Sequence, residues 1–389
     1  MKKSLIALAA LSTIAGSAVA QSSVSVYGII DMGYNSTKYE NNNNVTGANG
    51  KTSTMGALSA LSSSRLGFRG TEDLGGGTSA NFVLELGFLG QGHGGVTAAS
   101  TGSTTGSNLD TTADKARIFT VGLSNKDLGT VRIGRDKTPA QLAVEKYTAG
   151  GANNSVGEFF LYGSNATDFG GGANVADFDV TSENFGERVS AGVFYTSPTF
   201  NGFTLNALYA KDDVKEQDGT LSATTALTKN QKTENTGLSI AYEGIQNLSL
   251  TYALHNQKLV TVGTTTTAKN ELQTLGASYT LGNVKVFGQW VDAEKKDAAG
   301  AQTVAQDGYQ VGVGYTMGKT YLWAQMGDAE QESTAGTKAY DRKGYQLGAR
   351  YDMSKRTSLY AIYGAQEAEK SGSATNEVSA LNIGVRHSF

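Results

Sequence analysis

The sequence predicts an all-β fold, a sixteen-stranded antiparallel β-barrel that crosses a membrane. Three observations carry this prediction. Segments of about ten residues alternate apolar and polar side chains and are separated by turn residues, which is how a strand with one apolar and one polar face reads. The connections between these segments alternate short and long. The composition holds 50 Gly, 18 Tyr and 14 Phe against only 2 Pro, as suits a closed hydrogen-bond ladder with no place for a missing donor.

The chain opens on a segment that belongs to none of the strands. Lys2 and Lys3 form a positive region, residues 5–11 an apolar core, and Ala18-Val19-Ala20 a small-residue cleavage site before Gln21. This is the pattern of a cleaved secretory signal over residues 1–20, too short for a spanning helix. Residues 21–389 are then the barrel domain. Of 32 basic and 35 acidic residues, the signal holds two lysines and no acid, so the exported chain carries a formal net charge of −5. No basic face remains to neutralise phosphates, which excludes nucleic acid as the partner. With no cysteine, neither a disulfide framework nor a thiolate metal site is available. Disorder would fit the glycine and polar content but not the regular spacing of aromatic and β-branched residues.

The strands follow in order. Val24, Val26 and Ile30 share one face of the first; Leu66 and Phe68 mark the second; Ala80, Phe82, Leu84, Leu86 and Phe88 the third; Phe119, Val121 and Leu123 the fourth. Farther on, Phe203, Leu205, Ala207 and Tyr209 repeat the alternation, as do Leu248, Leu250, Tyr252 and Leu254, then Leu275, Ala277, Tyr279 and Leu281. Tyr309, Val311, Val313 and Tyr315 do the same, as do Tyr345, Leu347, Ala349 and Tyr351. Aromatic residues recur at the ends of these apolar faces, where an interfacial girdle needs them. The expected spans are 24–35, 60–71, 78–89, 114–124, 130–137, 187–196, 203–211, 235–243, 248–257, 271–281, 284–291, 306–317, 320–328, 342–352, 358–367 and 377–389. Tight turns are expected at 72–77, 125–129, 197–202, 243–247, 282–283, 318–319 and 353–357, with long polar loops on the other side. Both prolines, Pro139 and Pro198, fall in connections. A barrel of this size keeps an aqueous lumen, whereas about eight strands would fill it with side chains.

Five runs stand out: Val24-Ser25-Val26-Tyr27-Gly28-Ile29-Ile30-Asp31, Ser64-Arg65-Leu66-Gly67-Phe68-Arg69-Gly70-Thr71-Glu72-Asp73-Leu74-Gly75, Gly129-Thr130-Val131-Arg132-Ile133-Gly134-Arg135, Tyr195-Thr196-Ser197-Pro198 and the ending Gly384-Val385-Arg386-His387-Ser388-Phe389. These motifs resemble the general porins of Gram-negative bacteria, in particular those of β-proteobacteria. They run from the start of the exported chain to its last residue. The resemblance implies a bacterial outer-membrane location, a homotrimer in lipid bilayer and lipopolysaccharide, and passive diffusion of small ions and hydrophilic solutes. It also implies a terminal strand read by the barrel-assembly machinery through Gly384, His387 and Phe389.

Function then rests on one loop and a few charges. After the fifth strand, Thr138-Pro139-Ala140-Gln141 places Thr at an N-cap, Pro at N1 and Gln at N3, a capping-box arrangement that predicts a short helix over 139–147. The resemblance implies that this third long loop folds into the bore. Gly157-Glu158-Phe159 is similar to the family's channel-narrowing acidic segment, although the family usually has Pro where this chain has Gly157; the other reading of Glu158 is an exposed loop acid. Arg65 shares the parity of Gly67 and Arg69, about seven residues above the first turn, and Arg188 that of Ser190 and Gly192; both are expected inward near mid-height. Asp31 and Glu85 pass the same test. A mid-depth arginine facing lipid would cost about 2–4 kcal/mol, which also favours the inward side. Parity places Arg117 outward with Val121 and Leu123, whereas the family carries a constriction arginine there; a bulge or a subunit interface would reconcile the two. Arginines on the wall opposite a loop carboxylate would set a transverse field across a narrow slot.

No catalytic, metal or cofactor site is expected. Gly90-Gln91-Gly92-His93-Gly94-Gly95 satisfies the dinucleotide fingerprint, but a Ser/Thr-rich stretch follows it where a helix is required. His93, His255 and His387 have no metal-ligand spacing, and His255 reads as a polar group of the lumen. A barrel-borne protease or lipase would need converging Ser/His or Asp/His groups, and an adhesive barrel is typically smaller or carries an added soluble domain.

Overall fold

The computed structural model describes residues 23–40, 50–57, 60–87, 116–150, 187–213, 231–261, 267–333, 337–370 and 375–389. The signal segment, His93 with its glycine-rich stretch, and Glu158 lie outside them. The strands are β1 (Ser23–Glu40), β2 (Gly50–Ala57), β3 (Arg65–Gly75), β4 (Thr78–Gly87), β5 (Ala116–Asn125) and β6 (Gly129–Lys137). A helix α1 (Pro139–Lys146) follows, then β7 (Arg188–Thr196), β8 (Phe203–Asp213), β9 (Gln231–Tyr242), β10 (Leu248–Thr261) and β11 (Thr267–Leu281). The set ends with β12 (Val284–Lys296), β13 (Gln302–Met317), β14 (Thr320–Ser333), β15 (Thr337–Asp352), β16 (Thr357–Lys370) and β17 (Thr375–Ser388).

All seventeen segments belong to one sheet. Each pairs antiparallel with its neighbour, and β1 pairs with β17 from Ile29–Ser388 to Glu40–Glu377, closing the ring. The lower half of β1 pairs with β3 and its upper half with β2, so β2 and β3 are two lengths of one stave and the barrel has sixteen. The expected second strand, 60–71, is corrected here. Its first residues leave the ladder, and the stave resumes above them as β2, within what reads in sequence as loop.

Alternation decides the two faces. On β5, Phe119 and Val121 are 60% and 61% exposed while Thr120 between them is 5%. The same inversion recurs around the ring, with Val, Leu and Tyr outside and buried Asn, Gln and Thr inside. A soluble protein would bury the apolar face; a barrel in hydrocarbon exposes it and keeps its polar face for the lumen. The short connections are those expected. Gly282 and Gly318 take φ of +58° and +59° in two-residue turns, a backbone region that glycine enters without a Cβ clash.

Strands β10 to β17 run longer than their apolar faces alone indicated; β13 and β15 span 16 residues each. Their upper ends are polar, so hydrophobic alternation stops while the hydrogen-bond ladder continues.

Candidate functional site

The charged centre forms on the wall built by β3, β4 and β5. Glu85 sits opposite Gly67 on β3, and the Tyr27 ring lies over that glycine, where a Cβ would come within 2.3 Å of it. Its carboxylate accepts from Arg117 Nε at 2.9 Å and from the Tyr27 phenol at 3.1 Å, and Arg65 Nε stands 3.8 Å away. Arg117 owes its inward position to a break in register. Glu85 pairs with Ile118, but the next residue, Leu86, pairs with Ala116. Arg117 is the extra residue of a bulge, so its side chain leaves the outward parity of Phe119 and Val121. Of the two ways to reconcile parity with an inward arginine, the bulge is the one present.

Arg188, at the foot of the long loop, is 2% exposed and pairs with the adjacent Glu187. Close by, Ala191 takes a φ of +52° and the β6–β7 register shifts between Gly134 and Asp136. These irregularities turn Arg135 so that its Nε donates to the Ala116 carbonyl at 2.6 Å and its Nη1 to Ser190 Oγ at 2.9 Å. Arg117, Arg135 and Glu145 are all electrostatic neighbours of Arg188.

Across from these arginines lies α1. Thr138 caps it, accepting from the Gln141 backbone N–H at 3.1 Å. The expected capping box is only half made, because the Gln141 side chain donates to Glu145 at 3.1 Å and the Thr138 N–H donates to the Glu187 carbonyl. Ala140, Ala143 and Val144 bury against Ala253, Leu272, Val291, Ala293 and Val304 on the inner wall, which fixes the helix inside the barrel and burial of its apolar stripe against water drives the docking. The chain then continues along the wall. Tyr147 lies over Gly276, where a Cβ would come within 2.0 Å of its ring, and its hydroxyl bonds Thr251 at 2.7 Å. Thr148 Oγ1 accepts from Gln310 at 3.3 Å, the Ala149 N–H donates to Gln325 at 2.9 Å, and the Ala149 carbonyl accepts from Tyr321 at 3.2 Å. Residues 138–150 are therefore folded into the lumen.

With its apolar stripe buried, α1 turns Glu145 toward the charged wall. Lys137 Nζ bonds both Glu145 oxygens at 2.5 Å, and Glu145 is an electrostatic neighbour of both Arg65 and Arg188. Sequence reasoning missed Glu145. The signal was available, since it is the one acid in the expected helix and stands off the Ala140–Ala143–Val144 stripe.

The remaining expected residues fall elsewhere. Asp31 faces inward but is fully buried, its carboxylate occupied by the Leu61 and Ser62 N–H groups and by Tyr360. His255 is buried on the inner wall, level with Gly237 and Leu272. Gly384 leaves room for the Tyr360 ring, where a Cβ would meet its hydroxyl at 2.3 Å. His387 Nδ1 pairs with Thr357 Oγ1 at 2.9 Å, and Phe389 exchanges backbone hydrogen bonds with Gly28 at 3.1 Å. Among the described residues no group of three or more His, Asp or Glu is placed to hold a metal ion.

Comparison with known proteins agrees with this architecture. The Gram-negative porin family profile matches residues 7–371. The chain is 35% identical over 288 residues to outer membrane porin protein 32 of Delftia acidovorans, covering 74% of this chain and 68% of that one. The anion-selective porin from Comamonas acidovorans superposes with a TM-score of 0.67 at 25% identity, over 95% of this chain and 100% of its own. The trimer form of OmpT from Vibrio cholerae has a TM-score of 0.61 at 17% identity, over 95% and 99%, a likeness of fold alone. A closed barrel with an apolar exterior, a polar lumen and an infolded loop thus meets a match along nearly the whole chain, and the protein belongs to the Gram-negative porin family, an outer-membrane channel for passive diffusion of small solutes.

Proposed function

We propose that this channel selects solutes by size and charge between the Arg65–Arg117–Arg188 wall and helix α1, with a preference for anions. The observation that carries the reading is Glu145 on the helix, held by Lys137 and an electrostatic neighbour of both Arg65 and Arg188. Arginines on one side and a carboxylate on the other orient a passing dipole, and low-dielectric walls strengthen the field between them. Glu85 neutralises part of the arginine charge but not all of it. Below this level, Lys319, Lys355, Arg350, Arg356 and Arg386 line a recess of about 730 Å³ against one acid, Asp352, so cationic charge continues to the short-turn mouth. The anion-selective porin of Comamonas acidovorans supports the same sign. Glu158 is proposed to add a second carboxylate on the loop side.

Transport of this kind needs no chemical step, and no catalytic role is assigned. The Vibrio cholerae trimer form is in keeping with a homotrimer, which is proposed to sit in lipopolysaccharide-bearing bilayer. Residues 1–20 are read as the export signal and Gly384, His387 and Phe389 as the assembly signal. Planar-bilayer recording under a salt gradient tests the charge reading. The wild type should reverse on the anion side of zero, and Arg65→Ala and Arg117→Ala should each move the potential toward cations. An unchanged reversal potential in both variants overturns it.

A further inference from the structure

We infer that residues 60–64 are a second inward fold of the channel wall, held by Asp31, and that they narrow the bore independently of the infolded helix. This rests on the channel function and not on the charge arrangement proposed above. The register requires an excursion. β1 pairs with β3 up to Ile29–Arg65 and with β2 from Met32–Ala57, so only Ile30 and Asp31 stand against positions 58–64. The surplus chain has to leave the sheet.

It leaves toward the lumen. Asp31 lies on the inner face, and its Oδ2 accepts from the Leu61 N–H at 2.9 Å and the Ser62 N–H at 3.0 Å. Its Oδ1 accepts from the Tyr360 hydroxyl at 2.5 Å, and its own backbone N–H donates to Ser64 Oγ at 3.0 Å. From β17, Arg386 Nε donates to Ser62 Oγ at 3.1 Å. Ala60 and Leu61 are buried in one cluster with Phe287, Trp323, Tyr360 and Ile362 of the inner wall. Ala149, from the end of the infolded loop, belongs to the same cluster, so the two intruding segments meet inside the barrel. Leu61, Ser62, Ala149 and Gly150 also border the open recess at the short-turn mouth. The fold therefore lies beside the passage and not behind it.

Asp31 is the positioning residue because it serves two backbone donors at once. Buried N–H groups left without an acceptor cost more than the hydrogen bonds are worth while made. Removing the carboxylate thus favours a rearranged segment in which water reaches Leu61 and Ser62.

The test uses neutral sugars of graded size in liposome swelling, because uncharged solutes do not report the transverse field. It also uses Leu61→Cys in a chain that otherwise has no cysteine. In the wild-type background a thiol at position 61 should label slowly. Asp31→Ala should raise that rate roughly tenfold or more, as expected for a segment that opens locally, and should admit larger sugars. Asp31→Asn, which keeps an acceptor oxygen, should restore most of the slow labelling; Tyr360→Phe should act in the same direction as Asp31→Ala but less. If Asp31→Ala does not assemble, Tyr360→Phe decides with the same readouts. Assembled variants with unchanged labelling and an unchanged sugar cut-off overturn the inference, whatever the reversal potential does.

Discussion

The walls on the two sides of the lumen are built differently. From β3 to β7 the ladder is interrupted: the β4–β5 register shifts at Glu85, the β6–β7 register shifts at Gly134, and Ala191 sits at positive φ. From β10 to β16 pairing runs unbroken through the barrel body, with shifts only near the upper ends, at Lys295 and Gln331. The irregular wall carries Arg65, Arg117 and Arg188. The regular wall carries a chain of amides, in which Gln310 donates to Gln289 at 2.8 Å and Gln325 to Gln310 at 2.9 Å. Bulges turn long charged side chains into the bore at places where strict alternation would aim them at lipid. Unbroken ladders instead present amides at constant spacing, and the infolded chain docks on them. One side displays charge and the other supports the chain that faces it.

That contrast can be broken most severely at Gly134. A Cβ there would come within 2.0 Å of the Phe119 carbonyl, at a φ of +134°. Gly134→Val should cost about 3 kcal/mol or more and abolish the heat-modifiable folded band on a cold gel. At Gly288, on the regular wall, an added Cβ would meet the Gln310 carbonyl at an ordinary 3.7 Å, and Gly288→Ala should assemble as wild type. If both substitutions behave alike, the distinction between the walls is wrong.

A smaller effect is expected where the regular wall holds the infolded chain. Gln310 bonds Gln289, Gln325 and Thr148. Gln310→Leu strands buried partners and should cost about 1–3 kcal/mol, measured by urea unfolding in detergent. It should also raise open-channel current noise as residues 147–150 loosen; a quiet trace at wild-type stability would mean the amides do not support the loop.

The smallest effect concerns Lys146 and Glu243, paired at 2.6 Å at the short-turn mouth. Lys146 holds the Glu243 carboxyl below its ordinary value. A depressed carboxyl contributes stability above its unfolded pKa and loses it as pH falls through the folded value. Both groups are well exposed, so Lys146→Ala should cost at most a few tenths of a kcal/mol. The difference from wild type should shrink with salt and vanish in acid; a variant that stays less stable in acid would place the effect in packing instead.

Legibility followed the same division. Strand alternation, short turns and the Thr138 cap are local signals, and they mark the regular wall up to the polar upper ends of its strands. Parity assigns Arg65, Arg188, Asp31 and Glu85 to the inner face, and all four face inward. Arg117 could not be placed, because one extra residue in a strand reverses every parity beyond it and nothing local announces where the extra residue lies. Parity orients Asp31 inward but does not show that it is occupied, because the backbone groups that bind it arrive from thirty residues away. The excursion at 60–64, Ala-Leu-Ser-Ser-Ser, reads as strand because it leads straight into the alternating 65–71 run with no Gly or Pro to mark the break.

What the sequence alone determined is the container: a membrane-crossing barrel, its inner and outer faces, its short and long connections and a helix after β6. These depend on periodicity and on local backbone preference. Only the tertiary structure decided how the container is filled. The bulge that brings Arg117 to Glu85, the helix face that turns Glu145 toward Arg65, and the segment that Asp31 draws inward each depend on register between strands. Register is set by the whole closed ladder, since every stave must match both neighbours at once.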